Sequence, residues 1–393
     1  MNYQKYIAVV LLFCLNISQA LSQSKIKHAE DATGKIKNSS PEIFFKRVDA
    51  VKNMNHAKAT SLKKTLAKEL NILFSQPVFN PPKGFVVKTG FGINNDPSQK
   101  NVLIPECDFA FNFYYLLQDG SGGIKESMDG TALGIETNTI SHFFEQVGNF
   151  WEDCSNAKVP EFFEQPPISD STADYIELDF SKYGYPAIAP NRPFRIIKRN
   201  PRPLFVPLTR KEFVEFLIAK RKYEISEDEK EIAYNIKSLK EPEETLKNPP
   251  SYLTQETIAA LKAGMQNIQK ANETLKHQIA DKAEKIREFQ NLASSMSSTD
   301  AASPARLDYN KGKALDAIEG LVRVGRMEGA GLYKINPGYY DTSPAAPAAQ
   351  LIFVYYQIPN LSIFEKTSYN YLEQKTINLF NQLDYHKLKE SME

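Results

Sequence analysis

Cysteine is scarce in this chain, with three copies among 393 residues, at positions 14, 107 and 154. So few thiols exclude a disulfide-stapled scaffold and any paired CxxC metal site. Histidine is thin as well: five copies stand alone at 28, 56, 142, 277 and 386, with no H-E-x-x-H pair, which excludes the common zinc patterns. The charge has no overall sign, because 48 Lys and Arg meet 47 Asp and Glu, and a net charge of +1 supplies no field to gather nucleic acid. No cofactor motif stands out, so no cofactor is expected. There is one apolar run of note, and it lies at the start.

Met1 to Lys5 is a short polar opening, followed by twelve positions from Tyr6 to Ile17 broken only by Asn16. That run falls short of the roughly 20 residues a helix needs to span a bilayer, and Ser18-Gln19-Ala20 supplies the small residues that signal peptidase reads. Residues 1–20 are therefore predicted to be a cleavable secretory signal, and the mature chain to be periplasmic or secreted rather than an integral membrane protein. Lipidation at Cys14 is disfavoured by the bulky Phe13 before it. Cys107 and Cys154 would then remain, either paired in an oxidising compartment or buried as free thiols.

The balanced total hides a polarity. Ile104 to Phe180 holds fifteen acidic residues against Lys125 and Lys158, whereas Pro190 to Tyr223 holds ten Lys or Arg against Glu212 and Glu215. Neither stretch has the compact like-charge block of an interaction tail, so the two are expected to neutralise each other.

Along the chain, residues 21–40 are polar and read as a disordered mature N-terminus. Pro41 to Phe74 has helical spacing, with Phe44, Phe45, Val48 and Val51, then Leu62, Leu66, Leu70 and Leu73 facing a core. Pro77, Pro81 and Pro82 stop it. Strands are predicted at Gly84 to Phe91, Asn101 to Leu117, Tyr175 to Phe180 and Phe194 to Lys198. In the second of these, Phe109, Phe111, Phe113, Tyr115 and Leu117 alternate with polar residues, as on a half-buried strand. Thr139 to Trp151 reads as a short amphipathic helix.

The central third is the most distinctive. A three-four spacing runs through Ile258, Leu261, Met265, Ile268, Asn272, Leu275, Ile279, Lys282, Ile286, Phe289, Ala293 and Met296, ten of the twelve being apolar. Such a seam predicts coiled-coil-like packing. Leu208 to Leu239 is helical too, with a stripe of Phe213, Leu217, Ile232, Ile236 and Leu239, and Thr209 with Glu212 forms a capping box at its start. Pro242, Pro249 and Pro250 are expected to reverse the chain, giving a helical hairpin over 208–298. The rival is an intermolecular coil, for which Asn272 would set the register of a homodimer.

Beyond a polar spacer, 299–393 carries predicted strands at Leu321 to Val324, Gly331 to Ile335 and Leu351 to Ile358, then an amphipathic helix from Tyr369 to Leu388 with Leu372, Thr376, Leu379 and Leu383 inward. The fold class is α+β: two mixed or antiparallel β-containing parts, 41–207 and 299–393, flank the hairpin and are either separate or one domain.

The runs Pro207-Leu208-Thr209-Arg210-Lys211-Glu212-Phe213 and Leu332-Tyr333-Lys334-Ile335-Asn336-Pro337-Gly338-Tyr339-Tyr340-Asp341 resemble those of uncharacterised exported proteins of Bacteroidota-type bacteria. The resemblance implies a bacterial envelope setting and carries no activity.

Candidate chemistry is sparse. Gly120-Ser121-Gly122 lacks the G-x-S-x-G spacing of a nucleophile turn. The acidic loop from Asp119 to Asp129 puts Gly123 and Gly130 where a calcium loop needs its fifth and twelfth ligands. Glu152, Asp153, Asp170 and Asp174 near Trp151 offer carboxylates but no evident pairing. Tyr339, Tyr340 and Asp341 are the candidate ligand contacts, since aromatic rings with a polar tip suit sugars and peptides, and core or turn packing is the alternative. The sequence thus points to a non-enzymatic exported protein acting on an envelope or extracellular protein or glycan as a scaffold. A hydrolase of envelope polymers and a glycan- or peptide-binding module are the rivals.

Overall fold

The computed structural model describes residues 27–94, 102–119, 121–140, 150–164, 168–179, 193–307, 321, 330–358 and 366–392. The predicted signal 1–20, most of the predicted helix at Thr139 to Trp151 and most of the predicted strand at Leu321 to Val324 lie outside them.

The described chain begins with β1 (Lys27–His28), β2 (Ile36–Lys37), α1 (Pro41–Asp49), α2 (His56–Phe74), β3 (Phe85–Asn94), β4 (Glu106–Gln118) and β5 (Ile124–Thr137). Then come α3 (Trp151–Ala157), β6 (Phe162–Glu164), β7 (Ile168–Ser171), β8 (Ile176–Asp179), β9 (Pro193–Lys198) and β10 (Phe205–Pro207). The hairpin arms α4 (Arg210–Lys247) and α5 (Gln255–Ser295) follow, with α6 (Ser298–Ala302) and β11 (Arg306–Leu307) after them. The chain closes with β12 (Ala330–Ile335), β13 (Leu351–Gln357), α7 (Lys366–Gln382) and α8 (Tyr385–Ser391). These elements form two compact units: Met1–Ser141, Pro167–Arg202 and Gly338–Glu393 make the first, and His142–Pro166 with Pro203–Pro337 the second.

The first unit is a nine-stranded sheet in the order β2-β3-β4-β5-β13-β9-β8-β7, with β1 also on β4. β2 runs parallel to β3, and the other pairs are antiparallel. Alternation on β4 does what the sequence predicts: Cys107, Phe109, Phe111, Phe113 and Tyr115 are buried while Asp108, Ala110, Asn112 and Tyr114 are only half-covered. Register then stacks aromatic on aromatic. Phe91 faces Phe109 and Phe85 faces Tyr115 across the β3–β4 pair, and the Phe91 and Phe109 rings sit 4.9 Å apart. Each such ring contributes roughly 1.5–3 kcal/mol on leaving water. Phe44 and Val48 of α1, Leu62, Leu66, Leu70 and Leu73 of α2, and Leu372, Leu379 and Leu383 at the C-terminal helices close over this face in one core.

The helical stretch 41–74 is broken where the sequence predicts one run: α1 ends at Asp49, and Asn55 restarts the helix by accepting a hydrogen bond from the Lys58 amide at 2.8 Å. The C-terminal helix divides similarly, because the Asp384 carboxylate accepts from Lys387 N and caps α8.

Residues 27–40, predicted to be disordered, are instead the edge of this sheet. Their polar composition misleads because what they supply is backbone: Ala29 N donates to Leu116 O at 2.8 Å, and Val87 N donates to Lys35 O at 2.9 Å. Gly84 makes the approach feasible. Its φ is +76°, and a Cβ there would stand 2.8 Å from the Glu30 carbonyl oxygen. Gly84→Ala is accordingly expected to cost on the order of 1–3 kcal/mol. Amide exchange at Ala29 and Gly34 should accelerate in that variant, and unchanged exchange would refute the role of Gly84.

The second unit carries its own small sheet, β12 flanked by β10, β11 and β6, all antiparallel. Cys154, Phe162, Phe213, Phe216, Leu217 and Phe289 share its core, with the Phe162 and Phe216 rings edge-on at 4.9 Å. The boundaries differ from separate blocks 41–207, 208–298 and 299–393 and lie nearer the alternative in which the two flanking parts combine. β12 belongs with the hairpin, whereas β13 lies between β5 and β9 in the large sheet. The predicted C-terminal module is therefore split, and parts of 41–207 and 299–393 share one sheet.

The long antiparallel hairpin is present, with arms of 38 and 41 residues. At about 1.5 Å per residue the longer arm extends about 60 Å. The capping box closes as predicted, Thr209 N donating to Glu212 Oε2 at 2.9 Å and Glu212 N to Thr209 Oγ1 at 3.2 Å. Two sequence expectations fail. Pro242 lies inside α4 and the reversal waits for Asn248–Leu253. A proline in a helix interior costs about 3 kcal/mol, and Pro242 is accommodated there five residues before the end of the arm. Ile236 is off the stripe and 53% exposed, because Ile232, Asn235 and Leu239 already define the inward face.

Candidate functional site

Seam residues Ile258, Leu261, Met265, Ile268, Leu275, Ile279 and Ile286 are half-buried, and Asn272 and Phe289 are buried. Polar groups inside the hairpin pair across it: Asn235 Nδ2 donates to Asn272 Oδ1 at 2.9 Å, and Lys282 Nζ meets Asp228 Oδ2 at 2.6 Å. Asn272 thus finds its partner within the same chain. Because a one-turn slip would leave these groups unmatched in a partly dry seam, they fix the register of the arms.

The predicted ligand contacts behave as core and turn. Tyr339 is fully buried and its hydroxyl donates to Gln350 O at 3.1 Å, while the Tyr340 hydroxyl donates to Asn138 O at 2.7 Å. Burial drives both phenols up, Tyr339 to about 12. Asp341 accepts from Ser343 N, and its backbone is clasped by the Gln350 side chain. Asn138, at φ +62°, organises the cluster: its amide donates to Pro105 O and accepts from Gln350 N. No aromatic lip exists at these three residues.

Cys107 and Cys154, whose pairing the sequence leaves open, are both buried free thiols. They lie in different units, on β4 and α3 respectively. Burial pushes the Cys154 thiol up to about 12 and Cys107 higher still, which leaves neither as a thiolate nucleophile. Near Cys107 lies Glu69, fully buried with no hydrogen-bond partner for either oxygen, and burial alone lifts its carboxyl to about 8. Glu69 is the only acid between Asp49 and Asp96, and its spacing of three from Leu66 and four from Leu73 places it on the inward stripe of α2.

Glu152 is exposed, and the other acidic candidates are engaged locally. Asp119 accepts from Ser121 N, Ser121 Oγ and Gly123 N, which hold its carboxyl at about 2 and tie down the β4–β5 turn. Asp153 pairs with Lys220 at 2.5 Å, Asp170 accepts from Ser171 N, and Asp174 meets His386 Nδ1 at 3.0 Å. Among the described residues, no three His, Cys, Asp or Glu gather to hold a metal ion.

One cleft of about 240 Å³ opens in the first unit between the β7–β8 turn, the end of β9 and α8. The turn is held by Thr172, whose amide donates to Tyr175 O at 2.9 Å and whose hydroxyl accepts from Asp174 N and Tyr175 N. Arg195 braces it from beside: its guanidinium bonds Glu177 at 2.9 Å and lies 4.7 Å from the Tyr175 ring centre and 4.8 Å from that of Tyr385. Lys198, Arg199 and Lys389 line the opening together with Asp174. Arg199 donates from Nη1 to Met392 O at 3.1 Å, and Lys389 donates to Ala173 O. Burial and the neighbouring Lys389 charge together lower the Lys198 ammonium below the usual lysine range. The Asp174 carboxylate raises His386, assisted by Glu390 at 3.4 Å. These residues are scattered over 171–176, 196–201 and 389, and the basic stretch 190–223 and the candidate carboxylate Asp174 were the hints of them in the sequence.

No protein-family model, curated protein or solved structure matches this chain. No helix among the described residues is long and apolar enough to cross a membrane.

Proposed function

We propose that the chain is an exported, non-enzymatic protein of the bacterial envelope that acts as a scaffold, engaging another protein through its helical hairpin. The observation that carries this reading is the hairpin itself, with arms of 38 and 41 residues locked in register by Asn235–Asn272 and Asp228–Lys282. A fixed register keeps the exposed Tyr234, Ile236 and Tyr252, which are 71%, 53% and 79% accessible, at set positions. Exposed aromatics on a rigid support are favourable contact anchors, since they bring large area at small entropic cost. Export rests on the leader-like residues 1–20 and on the resemblance to exported proteins. The strongly shifted acids and thiols, Glu69, Cys107 and Cys154, being buried, suit packing better than turnover.

A photo-crosslinker placed at position 252 tests it in the native envelope, with Lys276, an exposed site on α5, as control. A discrete adduct from 252 that is absent from 276 and lost in Tyr234→Ser, and whose mass differs from a doubled chain, is the expected outcome. A doubled mass would instead assign the hairpin to self-association, and identical patterns from both sites would overturn the contact role.

A further inference from the structure

We propose that the cleft between the β7–β8 turn, β9 and α8 is a binding site for a phosphate group, either free phosphate or the head of a phosphate monoester. Three cations line it, Lys198, Arg199 and Lys389, and among the described residues none of them has a carboxylate within ion-pair distance. The one lining carboxylate, Asp174, is taken by His386 at 3.0 Å. The lining therefore has two positive charges in excess. A phosphate monoester near neutral pH carries close to two negative charges, and a carboxylate only one.

Donor geometry points the same way. Lys389 spends one N–H on Ala173 O and Arg199 one on Met392 O, so both are oriented by the fold and keep further donors free. A guanidinium beside two ammonium groups offers a fork and two point charges, the set that three equatorial phosphate oxygens accept. Holding Lys198 half-buried beside Lys389 is unfavourable for the empty protein, and a bound anion would reverse that. At about 240 Å³ the opening is smaller than typical drug-sized pockets of roughly 300–1,000 Å³, which suits a phosphate with a short attached group.

Titration calorimetry on the full chain at low salt, with glycerol phosphate, inorganic phosphate and acetate as separate probes, tests this. Both phosphates should bind and acetate should bind more weakly. A preference for glycerol phosphate would identify an ester as the ligand, and equal affinity would identify free phosphate. Lys198→Gln and Lys389→Gln should each weaken binding about tenfold or more. No binding of either phosphate, equal binding of acetate, or undiminished binding in the double variant would overturn the assignment. Should the variants lose their fold by circular dichroism, lysine side-chain chemical shifts of the unmodified chain supply the readout. Phosphate must then shift Lys198 and Lys389, and shifts confined to other lysines would refute the site.

Discussion

Raising the pH from about 4.5 to about 8 is expected to destabilise the protein progressively through one residue, Glu69, whose carboxyl titrates near 8 in the fold against 4.5 for an unhindered side chain. The folded state binds this proton more tightly than the unfolded state does. Stability from this group is therefore greatest below the unfolded value, falls as pH rises between the two, and levels off above the folded value. The slope in that window is about 1.4 kcal/mol per pH unit, which accumulates to on the order of 3 kcal/mol by neutrality. Glu69→Gln keeps the shape of the protonated acid and cannot ionise. It should match the parent chain at low pH and exceed it by on the order of 2–3 kcal/mol at pH 7. Urea midpoints measured for both chains across the window decide the matter, since parallel curves would show that Glu69 reaches solvent or a partner when it ionises.

Phe289→Ala should have the second large effect. The ring is 1% exposed and belongs to the core that joins the foot of α5 to Phe162, Phe213 and Phe216. Truncating a buried phenylalanine typically costs about 3–5 kcal/mol, because the transfer energy is lost and a cavity stays behind. Tyr234→Ser, on the exposed face of α4, should cost less than about 0.5 kcal/mol. Thermal melts of the two variants must differ sharply. A Phe289→Ala melt within a degree of the parent would mean that the hairpin foot repacks without the ring and that Phe289 does not hold this core together.

How far the sequence could be read depended on whether a residue's role was periodic. The alternation of Phe109, Phe111 and Phe113, the stripe of Leu62, Leu66, Leu70 and Leu73, and the seam from Ile258 to Phe289 each repeat often enough to reveal a face, and each face is covered where predicted. The capping box of Thr209 and Glu212 was legible for a different reason, being a local bond between residues three apart. β5 was missed. Its run Ile124–Thr137 contains Gly130 and Gly134 and reads as polar, yet Gly134 leaves room for the Tyr355 ring, which a Cβ there would meet at 2.1 Å. Such a demand comes from a neighbouring strand more than two hundred positions away. Tyr339 and Tyr340 were open to two readings, core packing and ligand contact, since a hydroxyl donating to a buried carbonyl has the same letter as one offered to a sugar. The cationic cleft was barely legible because its residues meet only through long-range neighbours, whereas Glu69 stands on the inward stripe beside Leu66 and Leu73 and only its lack of a partner needed the structure.

The pairing of β13 with β5 and β9 bears on the order in which the chain folds. Val354 lies opposite Ile135 and Arg195, so the middle of the large sheet cannot close until nearly the whole chain has emerged. Long-range pairing of this kind is slow, because loop-closure entropy must be lost before any contact compensates it. The segment between β9 and β13 shortens that search. Once β10 has zipped onto β12 and Asn336 N has found Leu204 O at 2.7 Å, the two ends of a stretch of more than 130 residues stand side by side. Once folded, the hairpin-bearing insert thus spans the interval between β9 and β13 as a short tether would, at the entropic cost of a short loop rather than a long one.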